Sequence, residues 1–356
     1  MTLDILQQRL HNQLLSQTKF TQPSQVVAWL GAVQSQDYAG AKWALAQRTN
    51  GLTDAVIEQA FAQGEILRTH VLRPTWHFVT PVDIRWMLAL TAPRVRAAMA
   101  YMNRQLGLDA AIFEKSNAAL TKALRGNEQL TRSELGQILQ KAGIPVDGLH
   151  LGHLMGRAEL DGIICSGVRR GKQHTYALLE ERAPQAKSLE PDEALAELTK
   201  RYFTSHGPAT LPDFVWWSGL TTTDARKGIE FVKSQFDHEV VDDQTYWFIA
   251  SGSTRKLSPT VHLLPDYDEY TVGYTDRAEI FDITHSNKLD ARGSVLAQYS
   301  IMINGQVAGT WKRTIKKNEV LIELVPFIML TDDQNQAIIA ATQQYGKFLE
   351  LPVVLA

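Results

Sequence analysis

Residues 28–43 read Ala-Trp-Leu-Gly-Ala-Val-Gln-Ser-Gln-Asp-Tyr-Ala-Gly-Ala-Lys-Trp, and this stretch organises the interpretation of the whole chain. Pro23 and Ser24 are typical of a helix start, so the apolar residues that follow predict a helix over about 24–33. A second helix is predicted over about 39–48. The polar residues from Gln34 to Asp37 therefore lie in a gap between two helices that we expect to be buried.

The residue types in this gap suggest a particular kind of chemistry. A glutamine amide carries donors and an acceptor but takes up no proton near neutral pH, so it orients a water molecule without deprotonating it strongly. Such a group suits a reaction with an activated leaving group, where positioning and electrostatics supply most of the catalysis. Asp37 can act as a true base. Solvated residues of an ordinary helix–helix turn give the same pattern, and spacing alone favours that interpretation.

Composition describes an ordinary globular protein. The chain has 356 residues, 44% of them hydrophobic and 21% charged, which predicts two to four folded units. No apolar run is long enough to span a bilayer, and the N-terminus lacks a signal pattern. With Cys165 as the one cysteine, no intramolecular disulfide is possible, and we expect a cytoplasmic protein. A net charge of −2 does not indicate a nucleic-acid binder, so the clustering of basic residues becomes the informative quantity.

A pattern of helices followed by a hairpin occurs three times along the chain, and this order is typical of a winged helix. The first copy has helices over about 2–15, 24–33, 39–48 and 53–63 and two short strands within 65–79. The second has helices over 111–125, 131–143 and 149–160 and a hairpin within 163–179. Thr131 and Glu134 predict a capping box there, and Gly143 a helix stop. The third has helices over 191–205, 207–219 and 221–233 and a hairpin over 236–250.

The hairpins differ in charge. The first carries Arg68, His70, Arg73 and His77, and the second carries Arg169, Arg170 and Lys172 at its turn. Basic side chains on a wing predict contacts with nucleic acid. The third hairpin is acidic, and we expect it to face away from a phosphate backbone.

The last part of the chain, 258–327, is strand-like. Asn304-Gly305 predicts a type I′ turn, and a final helix is predicted over 331–349. These patterns predict a β-rich unit with the character of a small barrel. The resulting domains are 1–110, 111–182, 189–256 and 257–356.

No motif for a metal or a nucleotide cofactor was found. His150 and His153 are three residues apart on a predicted helix with Glu159 further along, but this is poor spacing for zinc, and ordinary helix positions are favoured. Neither a Gly-x-Gly-x-x-Gly pattern nor a P-loop occurs. We therefore expect no cofactor.

The chain resembles the tandem winged-helix family of AlkZ-type and YcaQ-type alkylpurine DNA glycosylases. The resemblance rests on Gly31–Gln36, on Leu72–Val79, on Leu263–Arg277 and on Val307–Trp311, which occur in the family's order. It implies an α+β fold of three tandem winged-helix units followed by a C-terminal β-barrel, forming a C-shaped channel for double-stranded DNA. It also implies a monomer.

The family's catalytic motif is glutamine, an apolar residue, then glutamine or aspartate. Gln34 and Gln36 match the polar positions, and Ser35 stands at the apolar one. Arg68–Val79 matches the hairpin that probes DNA near the lesion, with Pro74 and Trp76 in place of the more usual glycine and leucine.

The leading hypothesis is a monofunctional DNA glycosylase that acts on N7-alkylated purines, including bulky adducts or crosslinks. Gln34 and Gln36 would position the water, with Asp37 as an electrostatic helper or a helix cap. A winged-helix regulator without catalysis and a protein-binding scaffold are the alternatives. Sequence-specific binding would indicate the regulator, and an absence of salt-dependent DNA affinity would indicate the scaffold.

Overall fold

The structure of the protein is a computed structural model that describes residues 3–17, 20–249, 259–289 and 294–356. Thr2, the end of the predicted third hairpin at Ala250 and the predicted boundary at 256–257 lie outside these residues. The chain divides into two compact units. The first comprises residues 1–58, 196–217 and 221–356, and the second comprises 59–195 and 218–220. We describe each by itself.

Runs of helices are followed by short antiparallel strand pairs along the chain, which confirms the α+β class. Up to residue 105 the elements are α1 (Ile5–Asn12), α2 (Pro23–Leu30), β1 (Val33–Gln34), α3 (Tyr38–Ala46), α4 (Asp54–Gln63), β2 (Leu67–His70), β3 (Trp76–Val79) and α5 (Ile84–Gln105). The next are α6 (Ala110–Leu124), β4 (Leu130–Thr131), α7 (Arg132–Lys141), α8 (His150–Leu160), β5 (Ile164–Ser166), β6 (Thr175–Leu178) and α9 (Leu179–Arg182).

The C-terminal elements begin with α10 (Pro191–His206), α11 (Leu211–Ser218), α12 (Thr222–Val232), β7 (Asp237–Val241), β8 (Gln244–Phe248), β9 (Val261–Leu264) and α13 (Glu269–Val272). They end with β10 (Ser300–Ile303), β11 (Gln306–Ile315), β12 (Val320–Pro326), α14 (Asp332–Leu349) and β13 (Val353–Leu355). Short 3-10 helices occupy Lys233–Gln235, Ile283–Lys288 and Val295–Ala297. The predicted order of helices and hairpins is confirmed. No helix of the described ranges is long and apolar enough to cross a membrane.

The second unit contains two of the hairpins. β2 and β3 pair antiparallel with His70 opposite Trp76, and β6 lies between β4 and β5. Thr131 and Glu134 form the predicted capping box at the start of α7, and Gly143 follows the helix with a φ of +71°. A hydrophobic core formed by α6, α7 and α8 supports the second hairpin.

The first unit contains a five-stranded sheet in the order β13-β12-β11-β10-β9. Neighbouring strands are antiparallel except β12 and β13, which are parallel. β9 and β13 are the edges of this sheet, so no closed barrel exists within the described residues, and the prediction of a β-barrel is wrong there. The physical reason is a shortage of strands, because much of the segment between β9 and β10 forms turns and short helices. β9 and β13 do not pair with each other within the described residues, so the sheet stays open.

The turn predicted at Asn304-Gly305 is confirmed. Asn304 and Gly305 both have positive φ angles, of +52° and +89°, and connect β10 to β11 by a two-residue turn as predicted. Asp242 and Asp243 form the corresponding turn of the acidic third hairpin, with φ angles of +47° and +62°.

Candidate active site

The predicted motif forms a loop between two helices, as the sequence indicated. α2 ends at Leu30, and Gly31 follows with a φ of +82°. A Cβ atom at that position would make only an ordinary contact with the Trp217 ring, at 3.4 Å, so it is the backbone angle that favours glycine. α3 begins after Asp37, whose side chain accepts a hydrogen bond from the Ala39 N–H at 3.2 Å. The cap function predicted for Asp37 is thus confirmed.

The motif passes from the interior of the protein to its surface. Gln34 is 7% exposed and Ser35 is fully buried, whereas Gln36 is exposed and Asp37 is half-buried. The Gln34 N–H donates to Glu269 Oε1 at 2.7 Å. The Gln34 side-chain Oε1 is buried, and it has no hydrogen-bond partner among the described residues. A buried acceptor without a hydrogen-bond partner destabilises the folded protein. This oxygen therefore marks a place where a polar group of a substrate or a water is expected.

Glu269 supports the loop from behind. This carboxylate is fully buried, and besides the Gln34 N–H it accepts a hydrogen bond from Trp217 Nε1 at 2.9 Å and lies 3.3 Å from His206 Nε2. Burial lowers the pKa of His206, and the hydrogen bond with Glu269 opposes that shift without reversing it. The neighbouring Asp268 caps α13 and pairs with the buried Arg48 at 2.7 and 2.9 Å. Glu269 is therefore fixed by both sequence-local and long-range contacts.

Asp37 has partners beyond its own helix. Its Oδ2 accepts a hydrogen bond from the Tyr299 hydroxyl and lies 3.8 Å from a nitrogen of Arg313. Burial alone would raise the pKa of Asp37, but the hydrogen bonds from Tyr299 and the Gly40 N–H and the charge of Arg313 outweigh it and lower the pKa. Asp37 is therefore an anion at neutral pH.

An aromatic cluster attaches the motif helix to the C-terminal sheet. The Trp43 ring packs on Tyr345 at 5.0 Å between centroids, and Trp311 packs on both Tyr345 and Tyr299 at 5.1 Å. The two indole N–H groups donate to neighbouring carbonyls of β9, Trp43 to Leu263 at 2.6 Å and Trp311 to Leu264 at 2.9 Å. Buried tryptophans with satisfied N–H groups pack in one orientation, which fixes α3 relative to the sheet.

Sequence reasoning missed the supporting residues. Glu269 lies within the segment that carries the family resemblance, but nothing in its spacing indicated a contact with Gln34. Tyr299 and Arg313 gave no signal of a role, because Asp37 and Tyr299 are separated by 262 positions. Homologous sequences, through covariation between the loop and the sheet, are the signal that would have found them.

The first hairpin belongs to the second unit, and its basic side chains are largely engaged. Arg68 is 8% exposed and stacks over the Trp76 ring at 4.4 Å. His70 Nδ1 makes a short contact with Oε2 of the buried Glu159, whose Oε1 accepts a hydrogen bond from Trp76 Nε1 at 3.3 Å. Glu159 of α8 therefore anchors this hairpin within the second unit.

The remaining two predicted residues of this hairpin differ in accessibility. Arg73 is half-buried at the turn. His77 has no exposed surface, and its Nδ1 lies 3.0 Å from the Thr75 carbonyl oxygen. A fully buried side chain contacts DNA only if the hairpin rearranges, so Arg73 is the more accessible of the two.

The second hairpin presents its basic turn at the surface. Arg170 and Lys172 are exposed and Arg169 is half-buried. Arg170 pairs with Glu134 at 2.9 and 3.0 Å, and this hydrogen bond together with those from Thr131 lowers the pKa of Glu134 to about 2. Part of the positive charge of this turn is therefore neutralised within the protein.

Another basic turn, which the sequence reasoning did not single out, connects β11 to β12 in the first unit. Lys316 and Lys317 are exposed there, and Lys316 pairs with Glu319 at 2.7 Å. The turn directly follows the strand that carries Arg313, so these charges lie about 10–13 Å along the strand from the Asp37 contact.

The histidines considered for metal binding make other contacts. His150 Nε2 lies 3.0 Å from the Leu106 carbonyl oxygen, and His153 Nδ1 lies 2.6 Å from Asn103 Oδ1. Within the ranges that the structure describes, no group of three or more His, Cys, Asp or Glu residues is arranged to hold a metal ion. Both histidines thus serve the packing of α8.

Comparison with known proteins shows the family and the fold of the chain. A family model described as "DNA glycosylase AlkZ-like" matches residues 27–348, a range that includes the motif loop and the supporting residues. The interstrand DNA cross-link repair glycosylase of Streptomyces sahachiroi is 24% identical over 318 residues, which cover 85% of each chain. The solved structure of the Streptomyces sahachiroi DNA glycosylase AlkZ matches with a TM-score of 0.79 at 20% identity, covering 99% of this chain and 98% of that one.

The structural match shows a common fold, and the family match bears on activity. Because the matching family is one of DNA glycosylases, the comparison supports an enzyme that acts on DNA and not a regulator or a scaffold. The chain therefore belongs to the AlkZ-like DNA glycosylase family, as the resemblance of its motifs predicted.

Proposed function

We propose that this glycosylase hydrolyses the N-glycosidic bond of N7-alkylated purines in duplex DNA, with Gln34 and Gln36 positioning the attacking water. The observation that carries the proposal is the buried Gln34 Oε1, an acceptor without a partner among the described residues. Its backbone is held by Glu269, so the amide is supported from behind while its oxygen stays available. An amide in this state is suited to hold a water by its hydrogen atom.

The chemistry needs little acid catalysis. N7-alkylation gives the purine a positive charge, and the C1′–N9 bond breaks with its electron pair moving to the base, which leaves as a neutral molecule. The water oxygen bonds to C1′, and its proton passes to solvent. Amide dipoles and the anionic Asp37 stabilise the oxocarbenium-like sugar between these steps. Two glutamines and a carboxylate thus suffice for a reaction whose leaving group is already activated.

A monofunctional reaction fits the surroundings of the motif. A glycosylase that also cleaves the DNA strand through a Schiff base needs an accessible amine as nucleophile. Lys42 is the lysine of α3, and its side chain is 4% exposed and paired with Asp54 and Glu58 at 2.9 and 2.7 Å. That amine is committed to two carboxylates, which supports water as the nucleophile.

The substrate range is proposed to include crosslinked N7-alkylpurines. The Streptomyces sahachiroi relative is named an interstrand DNA cross-link repair glycosylase. A crosslink of this class carries the same cationic N7-alkylpurine as a simple methyl adduct, so the same water-positioning groups serve both.

We also propose that the three groups of helices and a hairpin are winged helices, with domains 1–110, 111–182, 189–256 and 257–356, in a protein that acts as a monomer. Duplex DNA would then contact Arg73, Arg169, Arg170, Lys172 and the β11–β12 turn at Lys316 and Lys317. Arg68, His70 and His77 would instead stabilise the conformation of the first hairpin until DNA binds. The C-shaped channel stays a prediction.

The test is release of N7-methylguanine from a duplex containing N7-methyl-2′-deoxyguanosine, with uncatalysed loss subtracted. We expect release by the wild type and none above background by Gln34→Ala/Gln36→Ala. The control is Gln63→Ala, an exposed glutamine at the end of α4, which should act like the wild type. A folded double variant with unchanged release would remove the motif from the mechanism. Absence of release by the wild type, with salt-sensitive binding to duplex DNA, would refute this substrate.

A further inference from the structure

The contacts of Asp37 exceed what a helix cap requires. Oδ1 accepts the Ala39 N–H and completes the cap. Oδ2 faces Tyr299 and Arg313 of the C-terminal sheet. An ordinary N-cap stabilises its helix through backbone N–H groups alone, without a hydroxyl and a guanidinium from a distant part of the chain. The second oxygen is therefore held for another reason.

Tyr299 and Arg313 are themselves fixed. The Arg313 guanidinium lies 4.4 Å from the Tyr299 ring centroid and 5.8 Å from that of Tyr345, and the Tyr299 ring packs edge-on against Trp311. Burial raises the pKa of Tyr299, so its hydroxyl stays protonated and donates to Asp37. The side chain of Asp37 nevertheless keeps 27% of its surface exposed, against 16% for Arg313. A rigid carboxylate with an open edge results.

We propose that Tyr299 and Arg313 are positioning residues of the glycosylase reaction: they hold Asp37 as an oriented carboxylate beside Gln36, with its open edge toward the reacting sugar. The inference rests on the proposed function. A flexible aspartate next to a solvated loop would turn toward water, and its charge would be screened before it could stabilise a cationic sugar. Groups fixed before the reaction cost no reorganisation as charge develops, which is where preorganised electrostatics act most strongly.

The groups that face Asp37 come from each element packed against it. α3 contributes the N–H groups of Ala39 and Gly40, the segment before β10 contributes Tyr299, and β11 contributes Arg313. Asp266, from the segment after β9, also hydrogen-bonds with Asp37. Loss of either Tyr299 or Arg313 therefore raises the pKa of Asp37 and removes a contact that fixes the orientation of its side chain.

The experiment measures single-turnover excision of N7-methylguanine against pH for the wild type, Tyr299→Phe and Arg313→Gln. The matched control is Tyr101→Phe, which removes a hydroxyl from an exposed tyrosine of α5. We expect each positioning variant to excise the base about tenfold more slowly at pH 7, because an interaction with the charged Asp37 carboxylate has been lost. We also expect the acid limb of its pH–rate profile to move to higher pH. The control should keep the wild-type profile.

A double-variant cycle separates positioning from general structural damage. In an Asp37→Asn background, Tyr299→Phe should cause no further loss, because the group through which it acts has been removed. Additive losses, or an acid limb that does not move, would overturn the proposal.

A readout independent of activity is the ¹³C titration of the Asp37 carboxyl by NMR in the full-length protein. We expect Asp37 to titrate at higher pH in Tyr299→Phe than in the wild type and the Tyr101→Phe control, and equal titrations would overturn the proposal. If the wild type releases no N7-methylguanine, the proposed function fails by that result alone. The catalytic part of this inference then falls with it, and the NMR titration still decides whether Tyr299 controls Asp37.

Discussion

Replacing Glu269 by glutamine tests whether the motif loop is held by geometry or by charge. The carboxylate is fully buried and faces three donors: the Gln34 N–H at 2.7 Å, Trp217 Nε1 at 2.9 Å and His206 Nε2 at 3.3 Å. A glutamine amide has nearly the same shape but keeps a single acceptor oxygen. The substitution therefore forces a choice between Gln34 and the two side chains.

The structure predicts how the amide resolves that choice. If its oxygen keeps the Gln34 N–H, its NH₂ group faces Trp217 and His206. His206 can accept from that group by moving its proton to Nδ1, which lies 2.8 Å from Ser205 Oγ. One buried donor, the Trp217 N–H, is then unsatisfied, at about 1–3 kcal/mol. The flipped amide instead sets NH₂ against the Gln34 backbone N–H and removes the acceptor of that donor. The first arrangement should therefore prevail.

We expect Glu269→Gln to lower the free energy of unfolding by about 1–3 kcal/mol while excision stays within about threefold of the wild type, because the Gln34 backbone keeps its acceptor. Glu269→Ala leaves all three donors unsatisfied and should lose about 3–6 kcal/mol, a large part of the stability of an ordinary domain. The exposed Glu279→Gln is the matched control and should change stability by less than about 0.5 kcal/mol.

Urea denaturation gives the stability and single-turnover release of N7-methylguanine gives the activity, both at pH 7. A folded Glu269→Gln enzyme with a hundredfold loss of excision would refute the reasoning. The charge of Glu269, and not its acceptor at Gln34, would then support the reaction. Unchanged stability would equally contradict the hydrogen-bond assignment at Trp217.

Three further predictions concern other parts of the first unit. A Cβ atom at Gly40 would lie 2.6 Å from Asp37 Oδ2 and 3.0 Å from Pro265 Cβ, so Gly40→Ala should displace the carboxylate and slow excision about tenfold. The control is Gly156→Ala, whose Cβ would have only an ordinary contact. Equal excision rates of the two variants would contradict this prediction. Burial, with the charge of Arg48, lowers the pKa of His262 from 6.5 to about 4. The folded protein thus resists protonation, and up to about 3 kcal/mol of stability present above pH 6.5 is lost as pH falls toward 4. In urea denaturation at pH 7 and 4.5, the free energy of unfolding of His262→Gln should therefore fall less between the two pH values than that of the wild type. A variant with the wild-type pH dependence would refute this assignment to His262. Lys316→Gln/Lys317→Gln should reduce the slope of log affinity for duplex DNA against log salt by about two, and an unchanged slope would exclude both lysines from phosphate contact.

Helix caps, turns and helix breaks were predictable from the sequence, because residues a few positions apart determine them. The capping box of Thr131 and Glu134 and the turn at Asn304-Gly305 form as predicted, because each needs only residues within a few positions. The break between α2 and α3 was predictable for the same reason.

The barrel prediction failed because strand propensity and strand formation are different things. Residues 294–303 have the apolar composition of a strand, but Val295–Ala297 form a 3-10 helix and β10 starts only at Ser300. Tertiary packing decides such cases: Val295 is buried in the core beside Leu264 and Tyr270. Propensity for β structure reflects burial against neighbours, which a single sequence does not reveal.

The support of the candidate site was beyond local reasoning for a related cause. Glu269 holds the Gln34 backbone across 235 positions, and Tyr299 holds Asp37 across 262. Both ends of the motif loop are thus fixed by residues of the C-terminal segment, although the loop itself comes from the N-terminal helices. In the proposed mechanism glutamine supplies no proton transfer, so the rate depends on how accurately the amides and the carboxylate are held. An active site of this chemistry needs a rigid support more than a reactive group, and in this chain the support lies far from the motif in sequence.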